Sequence, residues 1–324
     1  MGDGAVDSIP AFLREAGLSV APGSIPAREA RAWLVDWQGI RGVLRCRTVP
    51  EAATTRARLL GDVDWLHAFL GGLAAADFLS PRPLPAFSGW SWTIAGGLLW
   101  ELVSYLPGRE VGWDSQPAMG QVGVLLARYH AAADGVRVAG QRPGVIPIAD
   151  VPAILLSGQL AEACPDPEQA VVIRRLTARL AADLDSFGHP ADSRLVIHGD
   201  FTNHNVIADG IPPRPVGVID FERAHLEVPL ADIGYGLWRS GRPSQDARDL
   251  DLARLTTFVR GYASTIAVPA DTVGALPVFL YGRGLQMIAK RAQAGHTATG
   301  IVAQVQWIAD NATAISDAVV GALP

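Results

Sequence analysis

The run Leu106-Pro107-Gly108 divides this chain into two parts with different periodicities. Proline removes a backbone donor and glycine frees the backbone, so a Pro-Gly pair after an apolar strand is a strong stop. Before the break, Ala32-Trp33-Leu34-Val35-Asp36-Trp37 is rich in aromatic and β-branched residues. Gln38 to Gly42 carries two glycines, and Gly42-Val43-Leu44-Arg45-Cys46 forms a second short run, so residues 30–47 read as a β-hairpin. Leu59, Val63, Leu66 and Leu70 recur at spacings of three and four, which predicts a helix over 55–71. Prolines punctuate 81–85, and strand-like segments follow at 91–94 and 98–105. The pairs Trp33/Trp37 and Trp90/Trp92 fit strand alternation and read as core.

After the break the periodicity is helical from Pro117, with Met119, Val122, Leu125, Leu126 and Tyr129 on one face. Asp166-Pro167-Glu168 predicts a capped helix start. Two short apolar runs, Leu195-Val196-Ile197 and Val216-Gly217-Val218-Ile219, read as strands, and from about Ala231 helices alternate with short loops. The expected class is α+β: a small antiparallel-sheet lobe over 1–103, a hinge at 104–108 and a large, mainly helical lobe over 109–324.

Composition narrows the function. With 324 residues, 49% hydrophobic and 18% charged, the chain has ample apolar material for two packed lobes. A net charge of −5 argues against a nucleic-acid binder, which would show a basic patch. Cys46 and Cys164 are far apart and form neither a metal pair nor a disulfide framework, which points to a reducing, cytoplasmic setting. Met1 to Gly4 is acidic rather than the basic start of a signal peptide. The apolar stretch from Thr93 to Val103 is too short for a bilayer and contains Glu101, so no membrane association is expected. Lysine occurs once, at Lys290, with no glycine loop before it, which excludes a P-loop. The HExxH and GxSxG strings are absent.

The chemistry is concentrated in His198-Gly199-Asp200-Phe201-Thr202-Asn203-His204-Asn205 and, further on, Ile219-Asp220-Phe221. Each begins where an apolar β run breaks into polar residues, which predicts that Asp200, Asn205 and Asp220 meet at the mouth of a hairpin-like pair. Phosphoryl transfer needs metal ions on the triphosphate, a carboxylate to orient the attacking hydroxyl, and a cation on the phosphate oxygens. Asp220 and Asn205 suit Mg²⁺, which prefers hard oxygen ligands. Asp200 would then receive or aim the hydroxyl proton. His198 reads as structural, holding backbone through its ring. Asp232 reads as a brace for the catalytic loop. Glu222 and Glu227 could reach an amine-bearing acceptor or lie solvated on the surface.

H-G-D-x-x-x-x-N followed by I-D-F resembles the aminoglycoside phosphotransferase family, which includes choline-kinase-like and homoserine-kinase-like enzymes and shares the protein-kinase fold. Weaker similarities extend along the chain: Val43-Leu44-Arg45, Ser104-Tyr105-Leu106-Pro107-Gly108, Leu126-Ala127-Arg128-Tyr129-His130 and Pro229-Leu230-Ala231-Asp232-Ile233. The resemblance implies ATP or GTP as phosphate donor, with the adenine edge read by backbone groups of Ser104 and Leu106. Arg45 stands where the kinase fold carries lysine, and Asp62 where the paired acid is expected. The phosphate-covering segment near 27–32 lacks glycine.

The expected activity is transfer of a γ-phosphate to a hydroxyl of a small molecule: an aminoglycoside or other antibiotic, an amino alcohol or a sugar. The expected state is monomer or homodimer. The competing readings are a pseudokinase that binds nucleotide or a partner without turnover, and a metal-dependent hydrolase using the same carboxylates.

Overall fold

The computed structural model describes residues 10–20, 32–111, 116–157, 166–188, 194–244, 247–294, 296 and 299–324. Cys164, the N-terminal four residues and most of the 27–32 segment lie outside them. The chain divides into two compact units, Met1–Pro107 with Arg137–Ala139, and Gly108–Val136 with Gly140–Pro324.

The first unit is built on a five-stranded antiparallel sheet. A short helix α1 (Ala11–Glu15) leads into β1 (Leu18–Val20), which is followed by β2 (Ala32–Trp37) and β3 (Ile40–Thr48). Helix α2 (Ala53–Ala75) precedes β4 (Trp92–Ala95) and β5 (Leu98–Ser104), and the spatial order is β1-β2-β3-β5-β4. Gln38 and Gly39 both adopt positive φ in the two-residue β2–β3 turn, the geometry that matches strand twist. On one face, Leu44, Cys46, Trp100 and Leu102 join Leu13, Val35 and Trp37 in a core, with Trp33 packed partly buried against it. The other face is covered by α2, whose Asp62 and His67 reach Arg47 of β3 and Glu101 of β5. Trp90 departs from the expectation that both tryptophan pairs are core. It is 62% exposed, because β4 begins only at Trp92 and Gly89, at φ +90°, turns the chain outward just before it.

The second unit begins with β6 (Arg109–Glu110) and α3 (Gln116–Asp134). Helices α4 (Val151–Leu156) and α5 (Pro167–Phe187) follow, the latter capped by the Asp166 side chain accepting from the Glu168 N–H at 2.9 Å. Next come β7 (Leu195–Ile197), β8 (Val206–Asp209), β9 (Arg214–Val218) and β10 (His225–Glu227). The chain continues with α6 (Pro229–Ser240), α7 (Leu252–Ala263), α8 (Ala270–Gly274), α9 (Leu276–Gln293), α10 (Thr299–Asp310) and α11 (Ala312–Val320).

The pairing of these strands corrects the expected hairpin. The run at 195–197 pairs with β10, not with the run at 214–218, which pairs with β8. β8 is short and follows directly on the polar H-G-D motif, so no periodicity announces it. At the start of the unit, Gly108 sits at φ +133°. A Cβ there would lie 2.4 Å from Ile207 and 2.8 Å from the Ala208 carbonyl, so the residue after Pro107 has to be glycine for β6 to lie against β8.

Candidate active site

Strand pairing in the second unit assembles the motif residues. β7 ends at Ile197, immediately before His198, and β8 begins at Val206, immediately after Asn205. Val206 stands opposite Val218 in the β8–β9 register, which brings Asn205 beside the residues following β9. The Ile219 N–H donates to the Asn205 carbonyl at 2.9 Å, next to Asp220. The Asn205 side-chain amide donates to the Asp200 carbonyl at 2.9 Å. Asp200 and Asn205 are thus linked directly, and Ile219, the residue before Asp220, is tied to the Asn205 backbone. With the Asn205 NH₂ donating, Oδ1 is the acceptor end of this buried side chain.

Backbone conformation supports the same arrangement. Asp220 adopts φ 65°, ψ 63°, left-handed for a non-glycine residue, with an exposed side chain. Such strained positions persist where surrounding structure over-determines them, and they cluster at functional sites. Gly199 has φ +73°, and a Cβ there would sit 2.3 Å from the Arg223 carbonyl, so both conformation and space demand glycine before Asp200.

The loop is held from beneath. Asp232 of α6 is fully buried and accepts the N–H of His198 at 2.7 Å and of Gly199 at 2.9 Å. His130 of α3 places Nε2 3.2 Å from the same carboxylate and Nδ1 2.8 Å from the Tyr262 hydroxyl. Burial alone would raise the Asp232 pKa. The His130 contact, the neighbouring His198 and the backbone N–H donor outweigh it and leave the carboxyl below its ordinary range. His198 donates from Nε2 to the Ile219 carbonyl at 2.9 Å and accepts the Asp200 N–H at Nδ1 at 3.3 Å. It therefore connects the two motifs rather than facing a substrate.

Glu227 is neither on the surface nor open to a ligand. It is buried, and its oxygens accept the N–H groups of Ile148 at 3.3 Å and Val228 at 3.1 Å. Burial at that depth follows from its place on the inner strand pair β7–β10, which the residue spacing alone did not reveal. Glu222 is exposed on the single 3₁₀ turn that follows Asp220.

Sequence reasoning missed the cations around Asp200. Arg283 of α9 is buried, with Nη2 3.3 Å from Asp200 Oδ1, and Arg223 Nε lies 3.8 Å from Oδ2. The available signal was a single arginine within the apolar run of α9. Glu101 in the first unit was also missed, although a lone carboxylate inside an apolar strand was visible. It stands opposite Arg45 in the β3–β5 register, and its Oε2 lies 3.1 Å from Arg47. Burial would raise its pKa. His67, Arg45 and Arg47 overcome that and bring it down to about 2. Asp62 lies 3.8 Å from Arg47. At the end of β5, the Ser104 N–H donates to the Arg82 carbonyl at 2.8 Å and its hydroxyl accepts the Arg82 N–H at 2.9 Å, so of its backbone groups only the carbonyl remains for a ligand.

The five-stranded antiparallel sheet unit and the helical unit are those of a protein-kinase-like fold. The profile of a phosphotransferase enzyme family, APH, matches residues 26–266, well over half of the chain. The chain belongs to that family and is a small-molecule kinase. Solved structures with the same fold include a microcompartment-associated aminopropanol kinase, at 18% identity and TM-score 0.65, covering 94% of this chain and 93% of that one. An amicoumacin kinase in complex with AMP-PNP, Ca²⁺ and Ami matches at 18% identity and TM-score 0.60, covering 93% and 88%. An aminoglycoside phosphotransferase, APH(4)-Ia, in ternary complex with ADP and hygromycin B matches at 16% identity and TM-score 0.59, covering 96% and 97%. A comparison with curated protein sequences gave no match. Among the described residues, no helix is long and apolar enough to cross a membrane.

Proposed function

We propose that this chain transfers the γ-phosphoryl group of ATP or GTP to a hydroxyl of a small molecule, with Mg²⁺ held by Asp220 and Asn205. The observation that carries this reading is the pair of hydrogen bonds that ties Asn205 to the Asp200 carbonyl on one side and to Ile219, the residue before Asp220, on the other, so that the two motifs are held as one loop pair. Among the described residues, no group of three or more His, Cys, Asp or Glu side chains is arranged to hold a metal. One carboxylate, one amide oxygen, phosphate oxygens and water are what Mg²⁺ accepts. The amicoumacin kinase solved with AMP-PNP and Ca²⁺ supports a nucleotide and a divalent ion as the working pair. The ion would neutralise charge on the β- and γ-phosphates.

In this reading the acceptor oxygen forms a bond to the γ-phosphorus as the bond to the β,γ-bridging oxygen breaks. The acceptor proton passes to Asp200, and a nucleoside diphosphate leaves. Asp232 and His198 keep the Asp200 backbone in place. Arg45 would bind phosphate, with Asp62 and Glu101 setting the charge around the β3 arginines, and the Ser104 carbonyl and Leu106 N–H would read the base edge. A cytoplasmic setting, where nucleoside triphosphates are available, follows from this reading.

A coupled nucleotide-consumption screen over amino alcohols, sugars, aminoglycosides and other antibiotics tests it. Asp200→Ala is expected to retain nucleotide affinity and lose about 10²–10⁴-fold in transfer. Asp220→Ala is expected to abolish divalent-ion-dependent turnover. Nucleotide binding that is indifferent to Mg²⁺, without turnover in the parent protein, would instead establish a catalytically impaired kinase.

A further inference from the structure

Basic side chains gather around Asp200. α9 places Arg283 and Lys290 seven residues apart, two helical turns and therefore on one face. Arg283 is only 5% exposed and is fixed on three sides. Its Nη1 donates to Gln286 Oε1 at 2.5 Å, its guanidinium lies 4.9 Å over the Tyr235 ring, and Nη2 points to Asp200 Oδ1 at 3.3 Å. Gln286 is anchored in turn by donating to the Ile146 carbonyl at 2.6 Å. Arg223 covers the other Asp200 oxygen at 3.8 Å and is about one-third exposed.

Lys290, the single lysine, shares this field. Its pKa is lowered by partial burial and by Arg223 and Arg283, and supported by Asp200 and Glu222. Among the described residues, no hydrogen bond or ion pair engages its ammonium. Arg223 and Arg283 therefore face Asp200, and Lys290 lies on the same face of α9 as Arg283, while Asp220 is assigned to the metal in the proposed function. A cationic acceptor brought to Asp200 would meet like charges.

We propose, resting on the phosphotransferase reading above, that the acceptor is anionic: a hydroxyl compound carrying a carboxylate or phosphate group, bound by Lys290 with Arg223 and Arg283. Arg283 positions and partly neutralises Asp200, and the exposed Lys290 and the one-third-exposed Arg223 supply the free donors for the acceptor's anionic oxygens. Arginine offers a bidentate fork to such groups, and lysine a point charge.

The test is a nucleotide-consumption assay with the full chain on matched acceptors: hydroxy acids, sugar phosphates, the uncharged amide or dephosphorylated counterpart of each, and amino alcohols and aminoglycosides. The expected result is turnover of hydroxy acids or sugar phosphates at a kcat/KM at least tenfold above their uncharged counterparts. The active arm tells carboxylate from phosphate recognition. Lys290→Gln, a substitution at an exposed helix position, is expected to raise the KM for that acceptor tenfold or more while the nucleotide KM stays within about twofold. Preference for amino alcohols or aminoglycosides overturns the inference and leaves the phosphotransferase reading standing. A Lys290→Gln effect confined to nucleotide KM also overturns it, because the cations then serve the donor. Absence of any turnover together with no Asp200-dependent nucleotide loss overturns both.

Discussion

Replacing Asp232 with alanine removes the acceptor on which the His198–Gly199 backbone rests. The carboxylate takes two backbone N–H groups, at 2.7 and 2.9 Å, and sits 3.2 Å from His130 Nε2, all in the interior. A hydrogen bond to a charged group contributes about 1.5–3 kcal/mol, and an unpaired buried donor costs about 1–3 kcal/mol. Breaking a buried charged network by removing one partner costs about 3–5 kcal/mol in total, roughly a fifth or more of a typical domain's stability. At about 2–4 °C per kcal/mol for a unit of this size, the apparent Tm falls by roughly 10 °C. Asp232→Asn retains one acceptor oxygen and loses about half as much. Thermal unfolding followed by circular dichroism measures the shift, and amide exchange at His198 and Gly199 locates it. The sign with pH is fixed by the direction of the Asp232 shift. A carboxyl held below its ordinary range contributes stability above that range and loses it as pH falls through the folded-state value. The gap between parent and Asp232→Asn therefore closes below about pH 4, near the ordinary carboxyl pKa. A Tm within about 2 °C of the parent for Asp232→Ala would refute the account, since this is what less than about 1 kcal/mol produces.

Other outcomes follow from the same geometry. Gly199→Ala must move the Arg223 carbonyl, 2.3 Å from the new methyl, and hold a left-handed φ, so it is expected to lose at least about 2 kcal/mol and nearly all transfer activity; a fully active, equally stable variant would remove the steric argument. Glu101 has a folded pKa of about 2 against an ordinary value of 4.5. Its contribution of about 3 kcal/mol is present above pH 4.5 and lost as pH falls toward 2. Acid unfolding of Glu101→Gln should therefore show a shallower decline between pH 5 and 2, and superimposable curves would contradict that assignment.

Local signals made much of the fold legible. The hairpin of β2 and β3 shows in its aromatic and β-branched residues and its glycine turn, both of which act within a few residues. The face of Val63, Leu66 and Leu70 marks α2, and Asp166-Pro167 marks the start of α5. β8 and β10 were not legible. They are only 4 and 3 residues long, and a strand that short is defined by its partner more than by its own period. Trp90 shows the converse error, in which alternation continued past the true end of a strand.

The motif spacing by itself singled out the side chains proposed to carry the chemistry, because phosphoryl transfer demands a carboxylate and two hard oxygen ligands and few arrangements of residues supply them. It also determined that a glycine precedes Asp200 and that the second unit is mainly helical. Only the tertiary structure decided that Asp232 carries the loop, that Glu101 answers the β3 arginines, that Glu227 is buried, and that Arg283 faces Asp200 from a helix some eighty residues later in the chain. Charge acts through space, and a sequence records only which residues are neighbours along the backbone. Whether an arginine in an apolar helix turns toward a catalytic carboxylate or toward solvent is settled by packing between elements.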